Sequence, residues 1–135
     1  MAYVPLTKSE EKLMLFLWEH DEPMSVTEML EMRDDEKHWT KNYTRDIVRA
    51  LEEKGAVECC GLQRSTKNYA RRFRPVMGRD EYFTHLAKDN GVSVSRMLRV
   101  EALAMARTGQ TEKMDELIRE LEDIIEEYRT KGDDT

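Results

Sequence analysis

The run Thr40-Lys41-Asn42-Tyr43-Thr44-Arg45-Asp46-Ile47-Val48-Arg49 concentrates cationic and hydrogen-bonding side chains on a segment with helical spacing. Thr44, Ile47, Val48 and Leu51 recur at steps of three and four and form one inward side, which turns Asn42, Tyr43, Arg45, Asp46 and Arg49 outward. Arg45 and Arg49 stand one turn apart, and a guanidinium fork fits either the edge of a guanine or a phosphate. Arg45 is the candidate for reading a base, aided by Asn42 and Tyr43. Asp46 either orients one of these arginines or accepts from cytosine. Thr40 and Lys41, at the helix start, suit phosphates, as do Arg64, Lys67 and Asn68 farther along. The competing reading is a solvated helix face in which Arg45 and Arg49 pair with Asp46, Glu52 or Glu53.

A helix used this way needs a scaffold, and the flanking sequence spells one. Thr7 with Glu10, and Ser25 with Glu28, have the spacing of capping boxes, so helices are expected to begin at both places. The first ends near Asp21, ahead of Pro23, and Met24 and Met29 bracket the second as a hydrophobic staple. Thr40 caps the third helix and Gly55 stops it. After Gly55 the period drops to two. Val57 and Cys59 are expected inward in "AVECC", Tyr69 and Phe73 inward in "NYARRFRPV", with the polar "GLQRSTK" joining the two strands. Arg71, Arg72 and Arg74 are divided between covering this sheet and meeting phosphate. Three helices followed by a basic hairpin is the order of a winged helix-turn-helix, a mainly α fold with a small β-hairpin. The third helix is then the recognition helix and the hairpin the wing.

Residues 1–77 are assigned to this domain, 78–130 to a helical dimerisation region and 131–135 to a disordered tail. The helix around 79–91 carries Tyr82, Phe83 and Leu86. Residues 97–106, including Met97, Leu98 and Leu103, hold only Arg99 and Glu101 as charges, so this helix needs cover from more than one side. Met114, Leu117, Leu121, Ile124 and Tyr128 alternate at steps of three and four, widened by Ile118 and Ile125 into a helix-packing seam. Two heptads are too few for an independent coiled coil, which points to an intertwined homodimer.

Charge is uneven along the 135 residues. The net charge is -6, but residues 37–74 hold 10 Lys and Arg against 4 Asp and Glu, and both flanking segments are acidic. Overall acidity excludes indiscriminate nucleic-acid binding, while the central segment retains a footprint for phosphates. The amino terminus lacks the pattern of a signal peptide, and no apolar run approaches the roughly 18 residues of a membrane span. Cys59 and Cys60 are neighbours that cannot staple distant segments, and one is expected inward and one outward on a strand. A reduced, cytoplasmic protein is expected. The nine methionines read as core filler, "DDEKH" with His38 lacks metal spacing, and His20 and His85 are isolated. With no phosphate-binding glycine loop and no catalytic triad pattern, neither an enzyme nor a cofactor is expected.

From "LTKSEEKLMLFLWE" through "ALEEKGAVE" and "RRFRPVMGRDEYF" to "MDELIRELEDII" the chain resembles the penicillinase repressor family of bacterial winged-helix regulators. The resemblance rests on Trp18 at the end of the first helix, Trp39-Thr40 before the third, Leu51, Lys54 and Gly55 after it, and "FRPV" closing the hairpin. It implies a homodimer that binds a palindromic operator in double-stranded DNA and represses a nearby promoter. Three departures matter. Tyr43-Thr44 replaces the Thr-Ile or Thr-Val pair of many members, although Arg45 stands in the expected place. Ala102-Leu103 replaces the Asn-Phe bond cut in antibiotic-responsive members. The tail lacks the cysteine-rich motif of copper-responsive members. The inducing signal, whether a sensor protease or another, is left open. The alternative function is a winged-helix protein-interaction module without DNA binding.

Overall fold

The computed structural model describes residues 4–33, 39–65 and 68–133. They fall into two compact units, one ending at Leu86 and the other beginning at Ala87. The first unit holds α1 (Lys8–His20), α2 (Val26–Met32), α3 (Lys41–Glu53), the antiparallel strands β1 (Val57–Ser65) and β2 (Asn68–Pro75), and α4 (Arg79–Asp89) through Leu86. This is a winged-helix arrangement.

Local sequence explains most of the boundaries. Both capping boxes form, with Thr7 and Ser25 accepting from the backbones of Glu10 and Glu28, whose side chains reach back to the caps. Asp21 ends α1 in the left-handed region at φ 47°, and Gly55 follows α3 at φ 77°. The core forms where Leu13, Met14 and Leu17 of α1 meet Met29, Leu51 and Phe73, all essentially removed from water. Met24 and Phe73 exchange backbone hydrogen bonds of 3.0 and 2.8 Å, so the segment before α2 is stitched to the root of the hairpin.

The hairpin differs from its sequence reading. Its strands pair from Val57 with Pro75 out to Ser65 with Asn68, so "GLQRSTK" is mostly strand; Thr66 and Lys67 lie outside the described residues. Tyr69 is not inward. It pairs with Arg64 near the far end of the hairpin and is 67% exposed. The expected inward and outward cysteines are both exposed, because a bulge between Cys59 and Gly61 inserts an extra residue and breaks the alternation. "DDEKH", with His38, also lies outside the described residues.

Helix α4 corrects a further expectation. Tyr82, assigned above to the dimer surface, is 4% exposed inside the first unit. Its ring lies 5.8 Å from that of Trp18, and its hydroxyl accepts from the Leu6 N–H at 3.1 Å. Trp18 also donates to the Met77 carbonyl at 2.8 Å, so the tryptophan of α1 ties down the chain entering α4. The first unit therefore ends at Leu86 instead of near residue 77.

The second unit consists chiefly of α5 (Val94–Arg107) and α6 (Thr111–Asp133), which pack together across a turn at Gly109, φ 70°. Lys131–Asp133, expected in a disordered tail, continue α6. Met114 and Leu117 are half-buried, but Met97, Leu98, Leu103, Leu121, Ile124, Ile125 and Tyr128 are exposed in the single chain.

Candidate nucleic-acid interface

The start of α3 is positioned by a cap and an aromatic cluster. Thr40 accepts from the Tyr43 N–H at 3.0 Å, while the Thr44 hydroxyl donates back to the Thr40 carbonyl at 2.9 Å. Trp39 is buried beneath this turn, with the Arg33 guanidinium 4.2 Å from its ring centroid and the Tyr43 ring edge-on at 5.0 Å. The Tyr43 hydroxyl lies 2.9 Å from that of Ser9 on α1. Tyr43 thus braces the helix against α1 and presents only part of its ring outward. Thr44, Val48 and Leu51 anchor the opposite side in the core.

Lys41, Asn42 and Arg45 emerge from this anchored turn into solvent. Each is exposed, and none has a side-chain hydrogen bond or ion pair among the described residues. Arg49 and Asp46 stand 4.0 Å apart with about two-thirds of each side chain exposed, the geometry of a loose surface pair. A groove of about 450 Å³ runs between α3 and the hairpin, with Lys41, Arg45 and Arg49 on one wall and Tyr69, Ala70 and Arg71 on the other. Arg64 and Tyr69 oppose one another in the register, as do Leu62 and Arg71, so these four share the face of the hairpin that borders the groove. Asn68 occupies the last described position of β2 toward the tip, and Lys67 lies outside the described residues.

The basic central segment resolves into two sets of cations. Lys54 is paired with Glu10, Arg71 with Glu52, Arg72 with Glu28 at 3.1 and 3.2 Å, and Arg74 with Glu58 at 2.7 Å. Arg71, Arg72 and Arg74 therefore fasten strands to helices or to each other. Among the described residues, Lys41, Arg45, Arg49 and Arg64 remain as the outward cationic set. Arg72 also explains Glu28: its hydrogen bond to the carboxylate is the main reason that the Glu28 carboxyl is held below the usual range.

Tyr69 is the surface residue that sequence reading missed, since a strand aromatic in alternation with Phe73 reads as core. The missing signal was the length of the strand pairing, which runs from Val57 with Pro75 out to Ser65 with Asn68 and places Tyr69 near its far end.

A cationic helix face flanked by an antiparallel hairpin is a DNA-reading arrangement. Comparison with family models matches residues 6–127 to the penicillinase repressor family. The chain belongs to that family. Its members are transcriptional repressors that bind DNA, and the family is not one of enzymes. Comparison with curated proteins and with solved structures finds no match. Among the described residues, no helix is long and apolar enough to cross a membrane, and no three His, Cys, Asp or Glu side chains cluster as metal ligands.

Proposed function

We propose that this penicillinase repressor family member acts as a homodimer that recognises a palindromic operator and represses the adjoining promoter. The observation that carries the proposal is that Lys41, Asn42 and Arg45 are exposed and unpaired among the described residues at the cap of α3, while neighbouring cations are consumed by carboxylates. Arg45 and Asn42 then reach base edges in the major groove, and Lys41, Arg49 and Arg64 meet phosphates. Asn68 and Lys67 belong to the same wing contact. Asp46, 4.0 Å from Arg49, orients that guanidinium.

Dimerisation is supported by the second unit. Ile124 is 61% exposed and Tyr128 80%, on a helix whose apolar positions continue past its contact with α5. A second copy covering Leu121, Ile124, Ile125 and Tyr128 removes this apolar surface from water and links two half-site contacts.

The test is titration of promoter DNA from the protein's own operon over a range of salt. A saturable complex is expected, with affinity falling steeply as salt rises and each phosphate contact contributing about 0.9 to the log-log slope. Absence of such a complex, or binding indifferent to salt, overturns the proposal in favour of a protein-interaction module.

A further inference from the structure

The hairpin displays two apolar side chains that the described residues leave uncovered. Leu62 on β1 is 61% exposed and Tyr69 on β2 is 67% exposed. Leu62 stands opposite Arg71 and Tyr69 opposite Arg64, so Leu62 and Tyr69 are diagonal neighbours on one face, about 7–8 Å apart at the backbone and within reach of each other. Tyr69 lines the groove together with Lys41, Arg45 and Arg49 of α3. The hydroxyls of Tyr43 and Tyr82 are engaged by Ser9 and by the Leu6 N–H, whereas that of Tyr69 has no hydrogen bond among the described residues. A single exposed apolar residue is ordinary on a protein surface. Two that adjoin, on the face that carries the exposed Arg64 and borders the cations of α3, suit a partner that is apolar in its middle and anionic at its edges.

We propose that Leu62 and Tyr69 pack into the minor groove beside each half-site and make the operator flank a determinant of affinity, with A·T pairs favoured over G·C. The inference rests on the DNA-binding reading and adds to it a contact that the cations alone do not supply. The minor groove has deoxyribose walls rimmed by phosphates, and it admits apolar side chains. With α3 in the major groove, the hairpin beside it meets the next groove along the duplex. At A·T pairs the groove floor carries only the acceptors adenine N3 and thymine O2, to which the Tyr69 hydroxyl donates. A G·C pair adds the guanine N2 amino donor. Leu62 offers that donor no acceptor and displaces the water that would, so a buried N–H is left unpaired. Arg64 meets phosphate at the rim and is indifferent to the base pair.

The test uses the full chain and promoter DNA from its own operon, with the protected region mapped by footprinting and its flanks rebuilt as short runs of A·T, G·C or inosine·C pairs. Inosine·C presents the minor-groove face of A·T with a major-groove face like that of G·C, so it separates the two grooves. The wild type is expected to bind A·T and inosine·C flanks alike and G·C flanks several-fold more weakly. The double variant Leu62→Ala, Tyr69→Ala is expected to bind all three alike, with unchanged salt slope, thermal midpoint and discrimination between half-site and random sequence. Tyr69→Phe keeps the ring and retains part of the preference. Equal binding of the three flanks by the wild type, inosine·C as weak as G·C, or a preference that survives in the double variant each overturns the inference and leaves the repressor reading standing. A double variant that sediments as a monomer assigns the pair to contact between copies and likewise overturns it. If no promoter fragment forms a saturable, salt-sensitive complex with the wild type, the repressor reading fails and this inference fails with it.

Discussion

Arg71 on β2 and Glu52 on α3 meet as a forked guanidinium–carboxylate pair, so the wing and the recognition helix are tied across the groove that separates them. The pair also neutralises a carboxylate on a wall otherwise rich in cations. Its side chains are 52% and 33% exposed, so its contribution to folding is screened and amounts to no more than about 1 kcal/mol.

Its larger effect is expected on DNA. Arg71→Gln leaves the Glu52 charge uncovered in the groove lined also by Lys41, Arg45 and Arg49, and should weaken promoter binding several-fold at low salt with little change in thermal midpoint. Adding Glu52→Gln should restore most of the loss. A double variant as weak as Arg71→Gln alone would show that Arg71 contacts DNA itself.

Arg45 and Arg64 should behave differently. Arg45→Ala is expected to reduce discrimination between promoter and random DNA by about 1–3 kcal/mol, the value of a bidentate base contact. Arg64→Ala should weaken both DNAs alike and lower the salt slope by about 0.9, as a phosphate contact does. Competition titrations against random DNA at several salt concentrations separate the two, and a uniform loss for Arg45→Ala would remove it from base readout.

Glu10 makes stability depend on pH. It is 3% exposed, and its carboxylate accepts from the Thr7 N–H at 2.8 Å and from the Lys54 ammonium. Burial alone pushes the carboxyl up, but Lys54 and Thr7 together outweigh it and hold the group below the usual carboxylate range. Because the folded value lies below the unfolded one, the stabilisation is complete above about pH 5 and is lost as pH falls through the depressed value. Glu10→Gln is expected to cost about 1 kcal/mol at neutral pH and to flatten the decline below pH ~5. Thermal melts from pH 3 to pH 7 check this; parallel profiles for the two proteins would refute the role of Glu10.

The exposed seam of α6 predicts a change of assembly without a change of fold. Leu121→Asp alters a residue that is 36% exposed in the single chain, so helicity should hold while sedimentation shifts from dimer to monomer. Promoter affinity should then fall by an order of magnitude or more, as two half-site contacts are unlinked. A variant that stays dimeric would place the interface elsewhere.

Sequence alone determined the local elements. A hydroxyl three residues before a glutamate caps a helix through contacts within a single turn, so the starts at Thr7 and Ser25 were legible, as were the inward positions Thr44, Val48 and Leu51. Tertiary structure decided what each outward residue does, because that depends on partners distant in the chain. Tyr82 became core when Trp18 lay beside it, and Arg72 and Arg74 became fasteners when Glu28 and Glu58 came within reach. Tyr69 and Cys59 reached the surface through the length of the hairpin and a single extra residue in β1. Periodicity reports which side of an element faces inward, but it carries no information on where a packed neighbour ends or which opposite charge arrives. Hence α3 and its inward face could be read from its own residues, whereas the division between cations paired with carboxylates and cations left unpaired among the described residues required the assembled chain.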